Sequence, residues 1–548
     1  MKKPERRLPE HTGMVVAPQP EAVEAGAEVL RRGGNAVDAA ICTALVQGVV
    51  DPLMCGIGGF GIMQVHDPVT GSPVVFEGMG TCPSAAHEAM WRDKILGETT
   101  DGFGFIVEDF ANEAGALSVQ TPGTLRILID SHRRFGTLPW AELFAPAIEI
   151  ARSGWLVRPH TYTVFIQDER KYGRMNYGDK LGLTPDGRRI YLHDDGSYKR
   201  IGEWIRNPDL ANTLESLADD GGEGFYTGAL AARIADDIQR NGGILSPDDL
   251  RDFAGRSTTP LRAEYRGICV SAPAAPGGGT LVAQILSILE HFDIAELQHN
   301  SAAHIAVLAE AMKVALRDKE NLVGDPDFTA DVSGELLSPD YARRTAAAIQ
   351  SGQRVAIDRI GAHESPHTTH VSTVDPQGVM VSFTHTLGNP SGFIPAGTGF
   401  MMNGGMSTFD PRPGKPNSIA PGKRRYSSMS PTLLMSQGQP FATLGAPGAS
   451  WIGPAVAQVI SNIIDWGMEA QEAVSAPRIV ATSNAIDVSN RVPRSVQREL
   501  EKDGYEVRRS PLSYAFAGVH AITGFDGELR GGADPQRDGM AQGVTPGR

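Results

Sequence analysis

The chain lacks any apolar stretch long enough to cross a bilayer. Its longest hydrophobic runs are short and broken by glycine, proline or charge, whereas a spanning helix takes about 20 consecutive apolar residues. Cysteine is scarce too. Cys42, Cys55, Cys82 and Cys269 lie far apart and form no C-x-x-C pair, which sets aside zinc ribbons and thioredoxin-type redox chemistry. Positive charge is in deficit: 50 Lys and Arg face 64 Asp and Glu, for a net charge of -14 at pH 7. Such a surface repels phosphate backbones and anionic lipids, so neither nucleic acid nor a membrane is an expected partner. The histidines include no H-E-x-x-H, and His363, His367, His370 and His385 have no cysteine near them, so no metal and no other cofactor is expected. The N-terminal MKKPERRLPEHTG carries the charge of a signal peptide but not the apolar stretch that should follow. Reduced, buried thiols in the cytoplasm are the resulting expectation.

What is present is length and punctuation. At 548 residues the chain exceeds one ordinary core, and its 63 glycines and 37 prolines imply many turns. Residues 20–31 carry apolar positions at helical spacing and stop at Gly33-Gly34. Asn35 can then cap a second helix, AVDAAICTALVQGVV. Further helices are expected over 137–152, 227–240, 302–317 and 453–465. The first two-thirds therefore reads as helix-rich with few clear strands. Near residue 366 the character changes. THVSTV and VMVSFTHTL flank Asp375-Pro376-Gln377-Gly378, a tight-turn sequence. In the second flank Val379, Val381, Phe383 and Leu387 share one face, and Met380, Ser382, Thr384 and Thr386 the other. Short strands are expected around 433–445, 477–488 and 517–524, which makes an α+β layered pattern.

Three motifs invite a chemical reading. Gly56-Ile57-Gly58-Gly59-Phe60-Gly61 fits G-x-G-x-x-G literally, but a dinucleotide site needs a strand before it and a helix after it. Here helix precedes and strand follows, so a structural turn is expected. Gly277-Gly278-Gly279-Thr280 lacks the lysine of a phosphate loop and reads the same way. The third is Ser365-Pro366-His367-Thr368-Thr369-His370, at the change in character and followed by a strand with a hydroxyl face. Taken alone, two threonines there are only the start of a strand. Downstream lie the serines of Ser427-Ser428-Met429-Ser430-Pro431. Gly445-Ala446-Pro447-Gly448-Ala449 then forms a small-residue turn whose N–H groups could face an oxyanion.

With these motifs the chain resembles the γ-glutamyltransferase family of N-terminal-nucleophile hydrolases over nearly its whole length. The resemblance rests on Gly13-Met14-Val15-Val16, Gly33-Gly34-Asn35-Ala36-Val37-Asp38-Ala39-Ala40, GIGGFG, Thr121-Pro122-Gly123-Thr124, FGTLPWAELFAPAIEIARSGW and NGGILSPDDL. It is completed by Val323-Gly324-Asp325-Pro326-Asp327, TTHVSTVD and YSSMSPTL. It implies a four-layer αββα sandwich made as one chain that cuts itself between His367 and Thr368. The products would be a large fragment, 1–367, and a small one, 368–548, intertwined in one catalytic domain. It implies Thr368 as nucleophile, Thr386 as its hydrogen-bond partner, and Gly448 and Ala449 as the oxyanion turn. Ser427 and Ser428 correspond to a serine pair that contacts substrate. The substrate is a small-molecule amide, the processed unit is a heterodimer, and a dimer of heterodimers is a further assembly the resemblance allows.

The specificity positions depart from the family. Where an arginine for the substrate carboxylate is expected, Phe76-Glu77-Gly78-Met79 offers Glu77. Where an acid for the α-amine is expected, the run around Gly405 and Thr408 offers Thr408. The asparagine after Thr386-Leu387 is displaced to Asn389. Arg424 and Arg425 are candidate stand-ins for the missing cation. The expected activity is thus an amide hydrolase or acyltransferase working through an acyl-threonine, on an acyl group other than γ-glutamyl. The alternatives are a genuine γ-glutamyl hydrolase or transpeptidase and an unprocessed pseudoenzyme with a binding role.

Overall fold

Alternation along the strand Gly13–Ala17 sets the layering: Val15 and Ala17 join one apolar core, Met14 and Val16 another. The architecture described below is that of a computed structural model, which describes residues 12–100, 104–357 and 368–545.

Two antiparallel sheets stack face to face. The first has seven strands in the order Met540–Val544, Gly13–Ala17, Thr369–Val374, Met380–Thr386, Phe60–His66, Val74–Gly78 and Arg256–Thr258. The second has six, in the order Arg530–Ala533, His520–Thr523, Gln439–Gly445, Thr432–Ser436, Ile268–Ala272 and Leu261–Tyr265. Helices Pro20–Arg31, Ala36–Val50, Thr124–Phe135 and Trp140–Ser153 cover the outer face of the first. Gly279–Leu289, Ala302–Leu322 and Ile452–Ile464 cover that of the second. The result is the αββα sandwich.

Local chemistry accounts for the elements. Asn35 accepts the N–H groups of Val37 and Asp38, and Asp38 accepts that of Asn35, closing a capping box on Ala36–Val50. The Asp375 carboxylate accepts N–H groups from Gln377, Val379 and Ala36, which fixes the hairpin turn and docks it on that helix. From the strand Met380–Thr386, Val381 and Phe383 enter the helix-covered core while Met380 enters the core between the sheets. On that inner face Ser382 donates to the Leu444 carbonyl (2.9 Å) of the second sheet. The hydroxyl face thus ties sheet to sheet.

The strand content of the first two-thirds exceeds the sequence expectation. Gly13–Ala17, Val74–Gly78, Leu261–Tyr265 and Ile268–Ala272 all arise there. These five-residue strands sit between layers, so several are apolar on both faces and show neither period clearly. The GIGGFG run is a helix-to-strand turn, as expected. A β-carbon on Gly59 would lie 2.3 Å from the Thr386 carbonyl, and one on Gly58 2.5 Å from that of Met401. Only glycine allows so close an approach at these two positions. Among the described residues no helix is long and apolar enough to cross a membrane, and no group of three His, Cys, Asp or Glu is arranged to hold a metal.

Candidate active site

Thr368 begins the strand-forming segment at the centre of the first sheet. It is 4 % exposed, and its φ of +86° is unusual for a β-branched residue. Its Oγ1 lies 3.1 Å from Thr386 Oγ1, which also accepts the Gly388 N–H at 2.8 Å. Its carbonyl accepts a hydrogen bond from Arg537 Nη1 at 2.9 Å. The residue is therefore held at both ends. His367 lies outside the described residues.

Beneath it runs a buried polar network. Thr369 Oγ1 accepts from Gln47 Nε2 (2.9 Å), Gln47 Oε1 meets His385 Nε2 (2.9 Å), and Gln19 bridges Gln47 and Asp51. Burial pushes the Asp51 carboxyl up to about 7 and holds His385 down to about 3. His370 and His520, also buried, are shifted down for the same reason.

Thr368 and Thr386 open into a cavity of about 610 Å³ that also receives Thr408, Ser427, Ser428, Ala449, Ser450 and Arg425. Gly448 has φ +140° and a β-carbon there would lie 2.5 Å from Ala517 Cβ. Ala449 follows at φ +51°, and helix Ile452–Ile464 starts three residues on. This turn brings Ala449 and Ser450 to the cavity at a helix N-terminus, where backbone N–H groups favour developing negative charge. Across from it, Ser427 N–H donates to the Pro276 carbonyl (2.8 Å), and the Gly278 N–H donates to the Met429 carbonyl (2.9 Å). The triple-glycine turn thereby braces the serine pair.

Five sequence candidates do not line the cavity: Gly448, whose neighbour Ala449 does, and Glu77, Arg424, Asn389 and Gly405. Glu77 is ion-paired with Arg424 (2.9 Å), whose guanidinium also binds Asp325 (2.5 Å). The side chain that stands where a cation was expected therefore lies in a separate ion network. Asn389 accepts from Lys180 Nζ (2.7 Å) and donates to Glu113 (2.7 Å). Gly405 packs on Gln120, whose Oε1 would lie 1.9 Å from an added β-carbon. Thr408 does reach the cavity, with its hydroxyl donated to the Gly405 carbonyl at 2.8 Å. Sequence reasoning missed Arg537, Gly388 and Ser450. Arg537 lies 169 residues from Thr368 with no local signal to connect them.

A buried hydroxyl pair, a strained turn at a helix N-terminus and a serine pair around one cavity are groups that acyl-transfer chemistry can use. Residues 22–544 match the family described as Gamma-glutamyltranspeptidase. The chain belongs to the gamma-glutamyltranspeptidase family. This family member is an enzyme with the fold of the N-terminal-nucleophile hydrolases. It is 35 % identical over 543 residues to Acylase ACY 1 proenzyme of Pseudomonas sp. (strain V22), covering 98 % of this chain and 94 % of that one. It is 32 % identical over 557 residues to Glutathione hydrolase proenzyme of Pseudomonas aeruginosa, covering 97 % and 95 %. The solved cephalosporin acylase from Bacillus halodurans superposes with a TM-score of 0.87 at 28 % identity, covering 100 % of this chain and 98 % of that one.

Proposed function

We propose that this transpeptidase-family enzyme cuts itself before Thr368 and then cleaves a small-molecule amide through an acyl-Thr368 ester, with an acyl group other than γ-glutamyl. The observation that carries this reading is the Thr368–Thr386 hydroxyl pair at 3.1 Å on the wall of the cavity. Its relatives are named proenzymes, which supports self-cleavage. So does the backbone at Thr368: a left-handed β-branched residue stores about 1–3 kcal/mol of strain, at the very peptide bond that would break.

Each step balances. In the uncut chain Oγ1 of Thr368 attacks the carbonyl of His367. The peptide C–N bond breaks, and water releases the new C-terminus. The α-amine so freed has an ordinary pKa of about 7.7–8.0, so an appreciable neutral fraction can take the Oγ1 proton. In turnover Oγ1 attacks the substrate carbonyl, and Gly448 and Ala449 stabilise the oxyanion. The leaving amine carries away the proton, and water or an acceptor amine resolves the ester. Ser427 and Ser428 steady the substrate. The fragments 1–367 and 368–548 remain together as a heterodimer. All four cysteines are free thiols, which supports a reducing compartment, the cytoplasm.

Against a γ-glutamyl substrate stands the state of the charges that would grip its amino-acid head. Glu77 is consumed by Arg424, and Asp410 on the cavity wall is held by Arg412 at 2.8 and 2.9 Å. Intact-mass spectrometry is the test. Wild type should give two fragments, the smaller beginning at Thr368, and Thr368→Ala should stay whole and inactive. A cut Thr368→Ala chain would remove the assignment.

A further inference from the structure

Outside the cavity, the turn that follows Thr386 runs into a buried charged cluster that the proposed chemistry does not use. Lys180, on the short helix Tyr177–Leu181, is 0 % exposed, and its Nζ donates to Asn389 Oδ1 at 2.7 Å. Glu113, also buried, accepts from Asn389 Nδ2 at 2.7 Å and lies 3.8 Å from Lys180 Nζ. Its other carboxylate oxygen accepts the Met175 N–H at 2.6 Å. The backbone of Lys180 is fixed as well: a β-carbon on Gly392 would lie 2.6 Å from its carbonyl. Both ends of the Asn389 amide are therefore gripped, by a cation and an anion that precede Thr368 in the chain.

Stability alone does not account for such a cluster. Apolar residues of the same volume often hold a fold as well as a buried ion pair does. Burial pulls the Lys180 ammonium down from its ordinary value, and the Glu113 carboxylate opposes that shift. What charged hydrogen bonds add is direction, and direction matters one residue away. Gly388 precedes Asn389 at φ +65° and donates its N–H to Thr386 Oγ1 at 2.8 Å, and that oxygen meets Thr368 Oγ1 at 3.1 Å. An N–H on one lone pair of Thr386 Oγ1 limits the directions in which the hydroxyl can face Thr368. Resting on the role of Thr368 proposed above, we infer that Lys180 is a positioning residue for the nucleophile, acting through Asn389, Gly388 and Thr386. Lys180, Glu113 and Asn389 do not line the cavity. An effect of Lys180 on the chemistry therefore passes along the turn and not through contact with substrate.

Rates of self-cleavage, followed by intact mass, test this path. Lys180→Met keeps the apolar stem and removes the charge. It should slow the appearance of fragments by about five- to tenfold, as the loss of one positioning contact does. Thr386→Val should slow it by a similar factor. Combined, the two should be slower than Thr386→Val alone by no more than about twofold, because both break one path. A merely structural role for Lys180 would instead multiply the two factors. Lys180→Met leaves the Glu113 carboxylate buried without its cation. Should that variant not fold, Lys180→Met/Glu113→Gln removes both charges and carries the same expectation. A wild-type rate in whichever of these folds, or multiplied factors, overturns the role of Lys180. Hydrogen exchange read by mass spectrometry, on peptides covering residues 387–391, reports the turn without any cutting. The Gly388 amide should exchange at least about tenfold faster in Lys180→Met, and unchanged exchange would remove the hold on the turn. A wild-type chain that is never cut, while Gly388 still loses protection in Lys180→Met, would instead refute the chemistry at Thr368 and leave that hold standing.

Discussion

Replacing Thr386 by valine removes one oxygen and almost no volume, so its effects report hydrogen bonding alone. That oxygen serves two partners, Thr368 Oγ1 at 3.1 Å and the Gly388 N–H at 2.8 Å. Both surroundings are buried, with Thr386 only 2 % exposed. The orphaned N–H should lower stability by about 1–3 kcal/mol. The loss of the hydroxyl contact should free the Thr368 side chain and remove about 0.5–1.5 kcal/mol of positioning, up to about tenfold in rate. Gly388 has φ +65°, so its turn would also relax once the N–H is released. The assay is a time course of fragment appearance by intact mass after rapid purification, beside thermal unfolding. Thr386→Val should process several- to tenfold more slowly and melt lower. Thr386→Ser, which restores the oxygen, should recover most of both. Wild-type processing in Thr386→Val would refute the idea that this hydroxyl positions the nucleophile.

Thr368→Ser keeps the oxygen and should still be cut, and a whole chain after long incubation would contradict the role given to Oγ1. Gly448→Ala would force a β-carbon to 2.5 Å from Ala517 at φ +140°. It should cost about 1–3 kcal/mol and abolish turnover, whereas Ala449→Gly, at φ +51°, should retain activity; equal activity in both would argue against the oxyanion turn. His304, His370, His385 and His520 are held neutral by burial, two of them down to about 3 and His304 to about 4. The unfolded chain takes up protons that these groups refuse. Stability should therefore be full above about pH 6.5 and fall below it, by about 1.4 kcal/mol per pH unit for each histidine. Asp51 and Asp487, raised to about 7, act with the opposite sign between about pH 4 and 7. His66, His160 and His299 are lowered as well, and Glu77, Asp130 and Asp375 raised; these seven histidines outnumber the five acids, so the melting temperature should drop from pH 7 to pH 5, and a flat or rising profile would show that the histidines do not dominate.

The helices were legible in the sequence where caps and period agreed. Residues 20–31 form Pro20–Arg31 as expected, and Asn35 caps Ala36–Val50. The hairpin about Asp375-Pro376-Gln377-Gly378 was legible because turn and alternation coincide there. Thr368 and Thr386 were visible as a resemblance and fall together in space. The charges were not legible. Arg424 and Arg425 are neighbours in sequence, and both could have replaced the missing cation. Long-range geometry separates them: Arg424 meets Glu77 across 347 positions, while Arg425 turns into the cavity. Asn389 was likewise assigned to substrate, yet Lys180 and Glu113, more than 200 positions away, take both ends of its amide.

The strand order of the first sheet has a mechanical consequence. Thr369–Val374 is inserted beside Gly13–Ala17, and Met380–Thr386 lies against Phe60–His66. Met540–Val544 closes over Gly13–Ala17 from the other side. A cut before Thr368 would sever the covalent path while strands of the two pieces still alternate across the sheet. Pieces made by the proposed cut would be laced together and would part only when the sheet itself melts. Dilution should leave them associated, and a single cooperative melt should describe a molecule made of two chains.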